Sequence, residues 1–231
     1  LAQVDSSIGG KVGINHKLGK NLIGAFHPPR LVAIDPQLLD TLPRREFRAG
    51  LYEVIKYGMI ASPTLFKKLG RELTAVFNHE PRALMSIITK CCRIKASIVQ
   101  SDERETGLRR VLNFGHTVGH AIESATRYRR FRHGEAVAFG MLAAASIAET
   151  RGEFSTTDCN ELGALIRRLG PLPSSNDLSI KQIINTVKQD KKIIQGKLHF
   201  VLPTGIGLTT IVEDVTSKQI ERALKKLGMR N

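Results

Sequence analysis

The residues best suited to chemistry crowd one stretch, Arg109-Arg-Val-Leu-Asn-Phe-Gly-His-Thr-Val-Gly-His-Ala-Ile-Glu123, followed by a basic connector and His133-Gly-Glu135. With the segment helical from Asn113, Phe114, Val118, Ala121, Ile122 and Ala125 share one face, and His116, His120 and Glu123 share the other. Two imidazoles four residues apart can point at one ion, and His133, opening the next apolar segment, can approach from another direction. A pair of surface histidines has the same spacing, so metal binding and a solvated face both remain open.

Three further groups invite a ligand. Asp5-Ser-Ser-Ile-Gly-Gly-Lys-Val-Gly13 places glycines where the backbone must come close to something, with Lys11 and Lys20 adding positive charge. That reads as an anion-binding segment or as a flexible linker, and its glycine spacing is neither the dinucleotide fingerprint nor the Walker type. Lys95 falls on an otherwise apolar stripe of Leu84, Ile87, Ile88, Cys91, Ile94 and Ile98, where a lysine either snorkels to water or meets an anion. Lys191, Lys192 and Lys197 read as a solvated charge run unless an anion binds nearby.

The elements that must position these groups are mostly helical. Pro43 starts a helix whose stripe is Leu51, Val54, Ile55, Gly58 and Met59, with Glu53 and Lys56 opposite, either as an ordinary solvated ion pair or, where that back face lines a cleft, as functional groups. Pro81 opens the helix bearing Lys95, and residues 135–150, small and apolar all round, read as a tightly packed central helix. A shorter helix covers residues 162–169, and Ser179 with Gln182 and Thr216 with Gln219 begin two more. Residues 1–30 read as loop and turn, Leu31-Val-Ala-Ile-Asp35 as a buried strand, and residues 198–212 as a small hairpin.

The chain has 231 residues, 42% of them apolar, which is enough for a proper core. A net charge of +14 suggests an anionic partner: nucleic acid, a membrane surface or a small phosphorylated or carboxylated substrate. With 5% aromatics and no recognisable nucleic-acid motif, a basic helical nucleic-acid binder explains the charge but not the histidines. Three cysteines without a Cys-x-x-Cys argue for a reducing, cytoplasmic setting, and the longest apolar run, 136–148, is too short to span a bilayer. Leu1 leads straight into the glycine-rich stretch, so further sequence is expected ahead of it.

Taken together, Gln3 to Asn15, Gly50-Leu-Tyr-Glu-Val-Ile-Lys-Tyr-Gly58, Leu112 to Glu123, His133-Gly-Glu135 and Asp190-Lys-Lys through Phe200-Val-Leu-Pro203 resemble 3-dehydroquinate synthase, in the family's order along nearly the whole chain. The resemblance implies residues 1–42 as the tail of an NAD-binding α/β domain, with residues 31–35 its last strand, and 43–231 as a mostly α-helical metal- and substrate-binding domain with a small β-hairpin. It implies Glu53, His116 and His133 as ligands of zinc, with cobalt as an alternative, His120 standing outside that set. Lys11, Lys95 and Arg109 match the positions that hold the substrate carboxylate. Asn113, His120 and one of Lys191, Lys192 and Lys197 match the phosphate end. Asp5 and Lys56 match contacts to hydroxyls near the metal and the nicotinamide, and Lys20, Asn21, Leu38, Thr41 and Leu42 the edge of the NAD site.

The implied reaction is the NAD- and metal-dependent conversion of 3-deoxy-arabino-heptulosonate 7-phosphate to 3-dehydroquinate and phosphate, by a homodimer in the full-length parent. The chain by itself is expected to be incompetent. A related cyclase acting on sedoheptulose 7-phosphate is the main alternative.

Overall fold

A computed structural model describes residues 2–230 apart from 17–18, 104, 106 and 194–197; the side chains of 15–22 and 190–197 are outside the described set. Its axis is helix α6 (His133–Thr150). Because the sequence there is small and apolar on every side, every residue from 134 to 148 except Leu142 is buried. Helices α1 (Arg44–Ala61), α5 (His116–Ala125), α7 (Thr156–Leu169) and α9 (Ser217–Lys226), with strand β3 (Phe200–Gly205), pack around it. Glycines set how close two of these contacts can be: an added Cβ would lie 1.8 Å from Ala49 O at Gly134 and 1.7 Å from Gly115 O at Gly140. Backbone-to-backbone approach of α6 to α1 and to the turn before α5 requires those residues to lack a side chain.

Helices α2 (Pro63–Arg71) and α4 (Pro81–Ser101) each carry proline in their first turn, where a missing N–H costs no helical bond. The short α3 (Leu73–Phe77) joins them. Helix α8 (Ile180–Ile193) starts at Ser179, whose Oγ accepts from Gln182 N at 3.3 Å, and Thr216 caps α9 with the reciprocal Gln219 contact, as the sequence predicts. Strands β3 and β4 (Leu208–Val212) form the expected antiparallel hairpin, docked on α1 through Gly207 N to Met59 O at 2.9 Å.

Four expectations are corrected. Residues 1–30 are not loop alone: β1 (Lys11–His16) and β2 (Gly19–Phe26) form a second antiparallel hairpin, and Gly13 faces Gly24 in its ladder. Residues 31–35 are not a strand. Leu31 is 84% exposed, no described strand lies beside the segment, and the Asp35 carboxylate caps a 3-10 helix at Pro36–Leu39. Helix α5 starts at His116 rather than Asn113, since Gly115 takes a left-handed backbone (φ 79°), and Asn113 closes a 3-10 helix at Leu108–Asn113. Helix α7 starts at Thr156, six residues earlier than the apolar pattern marks, because the Ser155 hydroxyl caps it. Among the described residues no helix is long and apolar enough to cross a membrane, and the three cysteines are free.

Candidate active site

Residues 49 to 60 of α1 are buried on all sides, so the helix has no solvated back. Glu53 (6% exposed) and Lys56 (1%) are therefore a buried pair, not an ordinary solvated one. Lys56 Nζ lies 2.5 Å from Glu53 Oε2 and 2.8 Å from Asp5 Oδ2. Lys95, buried on α4 where the apolar stripe placed it, holds the other oxygen of Asp5 and donates to Asp5 O at 2.5 Å. Two carboxylates and two ammonium groups thus neutralise one another out of water, which buried charge requires. Burial lowers the Lys56 pKa, but Glu53 and Asp5 outweigh it and hold the ammonium above its ordinary range.

Glu53 Oε1 also faces His133 Nε2 at 3.3 Å and His116 Nε2 at 3.9 Å. Each imidazole is oriented by its other nitrogen: His116 Nδ1 lies 3.1 Å from Phe114 O, and His133 Nδ1 lies 3.1 Å from Glu123 Oε2. The Nε2 atoms of both rings converge on this buried carboxylate, whose Oε2 is held by the Lys56 ammonium while Oε1 faces the two imidazoles. A cation belongs where these groups converge: a proton on His133, or a metal ion that displaces it. One carboxylate and two imidazoles fit zinc or cobalt and leave coordination positions open. Burial and then Lys56 push the His116 pKa down to about 3, so that ring is neutral. His133 is the opposite: burial works against its charge, but Glu123 and Glu53 raise it to about 9. Glu53 stays ionised because Lys56 and both histidines offset its burial.

His120 is exposed at the rim, and a ring nitrogen of each of His116, His120 and His133 lies within 4.8 Å of the others. A second group of cationic side chains adjoins this cluster. Arg109, 2% exposed, donates from Nη2 to Gly9 O at 2.8 Å and from Nη1 to Glu103 O. The Gly9 backbone is wedged between two cations, since an added Cβ would come 2.8 Å from Arg109 Nη2 and 3.5 Å from Lys95 Cε. Asp102 Oδ2 fixes the 3-10 helix bearing Arg109 by accepting from Gly107 N and Arg109 N at 2.8 and 3.0 Å. Lys11, on β1, pairs with Glu105 Oε2, while Asn113 Nδ2 donates to Glu105 Oε1 at 2.7 Å.

Asp5, Glu53, Lys56, Lys95, His116, His120 and His133 thus come together, with Arg109 beside them and Lys11 and Asn113 joined through Glu105. Leu38 and Thr41 are exposed and Leu42 half-buried at the 3-10 turn, with Thr41 Oγ1 donating to Leu38 O at 3.4 Å. The side chains of Lys20, Asn21, Lys191, Lys192 and Lys197 lie outside the described residues. Sequence reasoning missed Glu105, which bridges two expected substrate contacts, and the roles of Glu123 and Glu135. Glu105 had a signal in the acidic run Asp102-Glu-Arg-Glu105 just before Arg109.

Residues 50–193 match the family described as 3-dehydroquinate synthase C-terminal, and residues 1–49 match its N-terminal counterpart. The 3-dehydroquinate synthase of Nostoc sp. strain PCC 7120 is 50% identical over 98% of this chain, and that of Desulforamulus reducens 48% over 98%. The chain spans 63% of the length of each. Among solved structures, a 2-epi-5-epi-valiolone synthase from Streptomyces hygroscopicus with NAD+ and Zn2+ bound superposes with a TM-score of 0.90 at 30% identity, covering 98% of this chain and 63% of that one. A 2-deoxy-scyllo-inosose synthase complexed with carbaglucose-6-phosphate, NAD+ and Co2+ gives 0.84 at 28% identity, covering 97% and 64%. The chain belongs to the 3-dehydroquinate synthase family.

Proposed function

We propose that this chain supplies the metal- and substrate-binding half of a 3-dehydroquinate synthase, a lyase converting 3-deoxy-arabino-heptulosonate 7-phosphate to 3-dehydroquinate and phosphate. The observation that carries the reading is the buried Glu53 carboxylate, whose Oε1 faces the Nε2 atoms of both His116 and His133 within a ring of cations. Glu53, His116 and His133 would hold the metal. Asp5, Leu38, Thr41 and Leu42, with Lys20 and Asn21, would form the nicotinamide edge of the NAD site. When bound, NAD supplies a hydride acceptor that is regenerated each turnover, and the metal supplies Lewis acidity at the C4 and C5 oxygens.

The chain's own residues do the rest. Lys95, Arg109 and Lys11 neutralise the substrate carboxylate, exchanging their present carboxylate and carbonyl partners for it. The Lys56 ammonium and the Asp5 carboxylate contact the C5 hydroxyl and orient it, the ammonium stabilising the negative charge that develops on its oxygen. Asn113, His120 and a lysine of 191–197 bind the phosphate. Acidification of the C6 proton beside a C5 ketone lets phosphate leave, with the substrate's own phosphate, oriented by His120, accepting that proton. Reduction, ring opening and an aldol closure follow. The full-length protein is proposed to act as a cytoplasmic homodimer.

A cyclase of the sedoheptulose 7-phosphate type is favoured by the valiolone synthase superposition alone. Lys95 and Arg109 favour a carboxylated substrate. The test is phosphate release by the full-length protein with NAD: dialysis against a chelator should abolish it and zinc or cobalt restore it, with about one metal per chain by elemental analysis. Metal-replete protein that releases phosphate from sedoheptulose 7-phosphate but not from the heptulosonate would overturn the reading.

A further inference from the structure

Arg109 and Asn113 ride on a six-residue 3-10 helix, an element whose own hydrogen bonds hold it poorly. Asp102 fixes its start. The neighbour of Arg109, Arg110, points away from the proposed anion site, since successive side chains on such a helix diverge by about 120°. Arg110 Nη1 lies 3.0 Å from His199 Nε2 and 3.3 Å from Nδ1, and His199 Nδ1 lies 3.3 Å from Glu213 Oε1. His199 immediately precedes β3 and Glu213 immediately follows β4, so the two flank the Phe200–Val212 pair at the open end of the hairpin. The 3-10 helix packs against both strands. In sequence, His199 stands two residues after Lys197.

We infer that Arg110, His199 and Glu213 form a positioning relay that clamps the 3-10 helix to the hairpin and so fixes the positions of Arg109 and Asn113. A guanidinium only donates, so the ring nitrogen facing it must carry a lone pair. Donation from Nδ1–H to Glu213 leaves Nε2 as that acceptor, a tautomer assigned here from its partners. Glu213 balances the arginine charge across the ring. An isolated exposed ion pair would contribute little, but this imidazole is only 18% exposed and joins two elements. None of the three residues touches the metal cluster, so the relay acts on substrate anions alone. The inference rests on the proposed function, in which Arg109 and Asn113 hold the substrate's anionic groups.

The test compares wild type, Arg110→Ala, His199→Ala and His199→Gln in the full-length protein. In the alanine variants KM for the heptulosonate phosphate should rise about tenfold with kcat within about threefold, which is the signature of lost binding rather than lost chemistry. Metal content and thermal midpoint should hold. His199→Gln, able to accept from Arg110 and donate to Glu213, should recover most of the KM. Inorganic phosphate affinity by calorimetry should fall with KM, and hydrogen exchange should quicken at residues 108–113. Unchanged KM, or a loss that tracks the thermal midpoint with no rescue by glutamine, would overturn the relay. Should wild type release no phosphate from this substrate, the proposed function falls. Exchange and inorganic phosphate affinity then decide the relay alone, and no change in either for His199→Ala overturns it.

Discussion

At the scale of single residues, the two histidines facing Glu53 differ in charge because their surroundings differ. His116, buried and beside Lys56, has its pKa pushed to about 3, while His133, whose burial is outweighed by Glu123 and Glu53, is raised to about 9. At pH 7.5 the metal-free protein therefore carries one proton on this pair, and zinc must displace it. Calorimetry in two buffers of different ionisation enthalpy should read release of about one proton per metal bound. Release of none, or of two, would contradict the assignment. The linkage to stability has opposite signs for the two rings. His116, depressed, contributes stability that is lost as pH falls from 6.5 toward 3; His133, raised, contributes stability that is lost as pH rises toward 9. In the proposed mechanism His120 serves a different step, so His120→Asn should slow phosphate elimination in single turnover by about a hundredfold with metal affinity unchanged. Sequence alone could mark these side chains as metal-competent by type and spacing. It could not show that Glu53 is buried, because the solvated or buried state of a helix back depends on what covers it.

The decisive cover is supplied by whole elements. Glu135, fully buried in the first turn of α6, accepts from the Arg132 N–H at 3.0 Å and from Arg45 Nε and Nη2 on α1 at 2.8 and 2.7 Å. One carboxylate thus caps the helix that begins with His133 and ties it to the helix that carries Glu53. Glu135→Ala strips the cap and leaves the guanidinium without its carboxylate; with Arg45 part-exposed, about 2 kcal/mol of stability should be lost. The same variant should bind zinc at least tenfold more weakly, since displaced supporting groups typically cost metal affinity by that order. Loss of stability with unaltered zinc affinity would separate the clamp from the site. Much of this element scale was legible in the sequence. Prolines at helix starts, the boxes at Ser179 and Thr216, and the all-round small residues of α6 each carry a local cause. The first hairpin was not legible, because its strands contain Gly13, Gly19 and Gly24 and no alternating pattern over Gly19-Lys-Asn-Leu-Ile-Gly. The misread strand at 31–35 had the right residues but no described neighbour to pair with.

Across the whole molecule, the net charge of +14 gains a local meaning from the buried and half-buried cations gathered around one site. A substrate with both carboxylate and phosphate is drawn to such a surface at long range, so its association should weaken with salt. Discrimination at contact is a separate matter and rests on few groups. Arg109 is a poor probe of it, because its guanidinium also braces Gly9 O and Glu103 O and its removal would loosen the loop. Lys95 is better: its ammonium is held by Asp5, through the main-chain oxygen and the carboxylate, and Asp5 keeps Lys56 when Lys95 is gone. Lys95→Met keeps the apolar stem on its stripe and deletes the charge. Its kcat/KM for the heptulosonate phosphate should fall by about a hundredfold or more, as removal of one partner of a buried charged pair does. A sugar phosphate without the carboxylate should lose nothing by the same change. Equal losses for both substrates would mean that Lys95 serves the site through Asp5 and not through the substrate carboxylate, and the choice between the two cyclase readings would then rest on Arg109 alone.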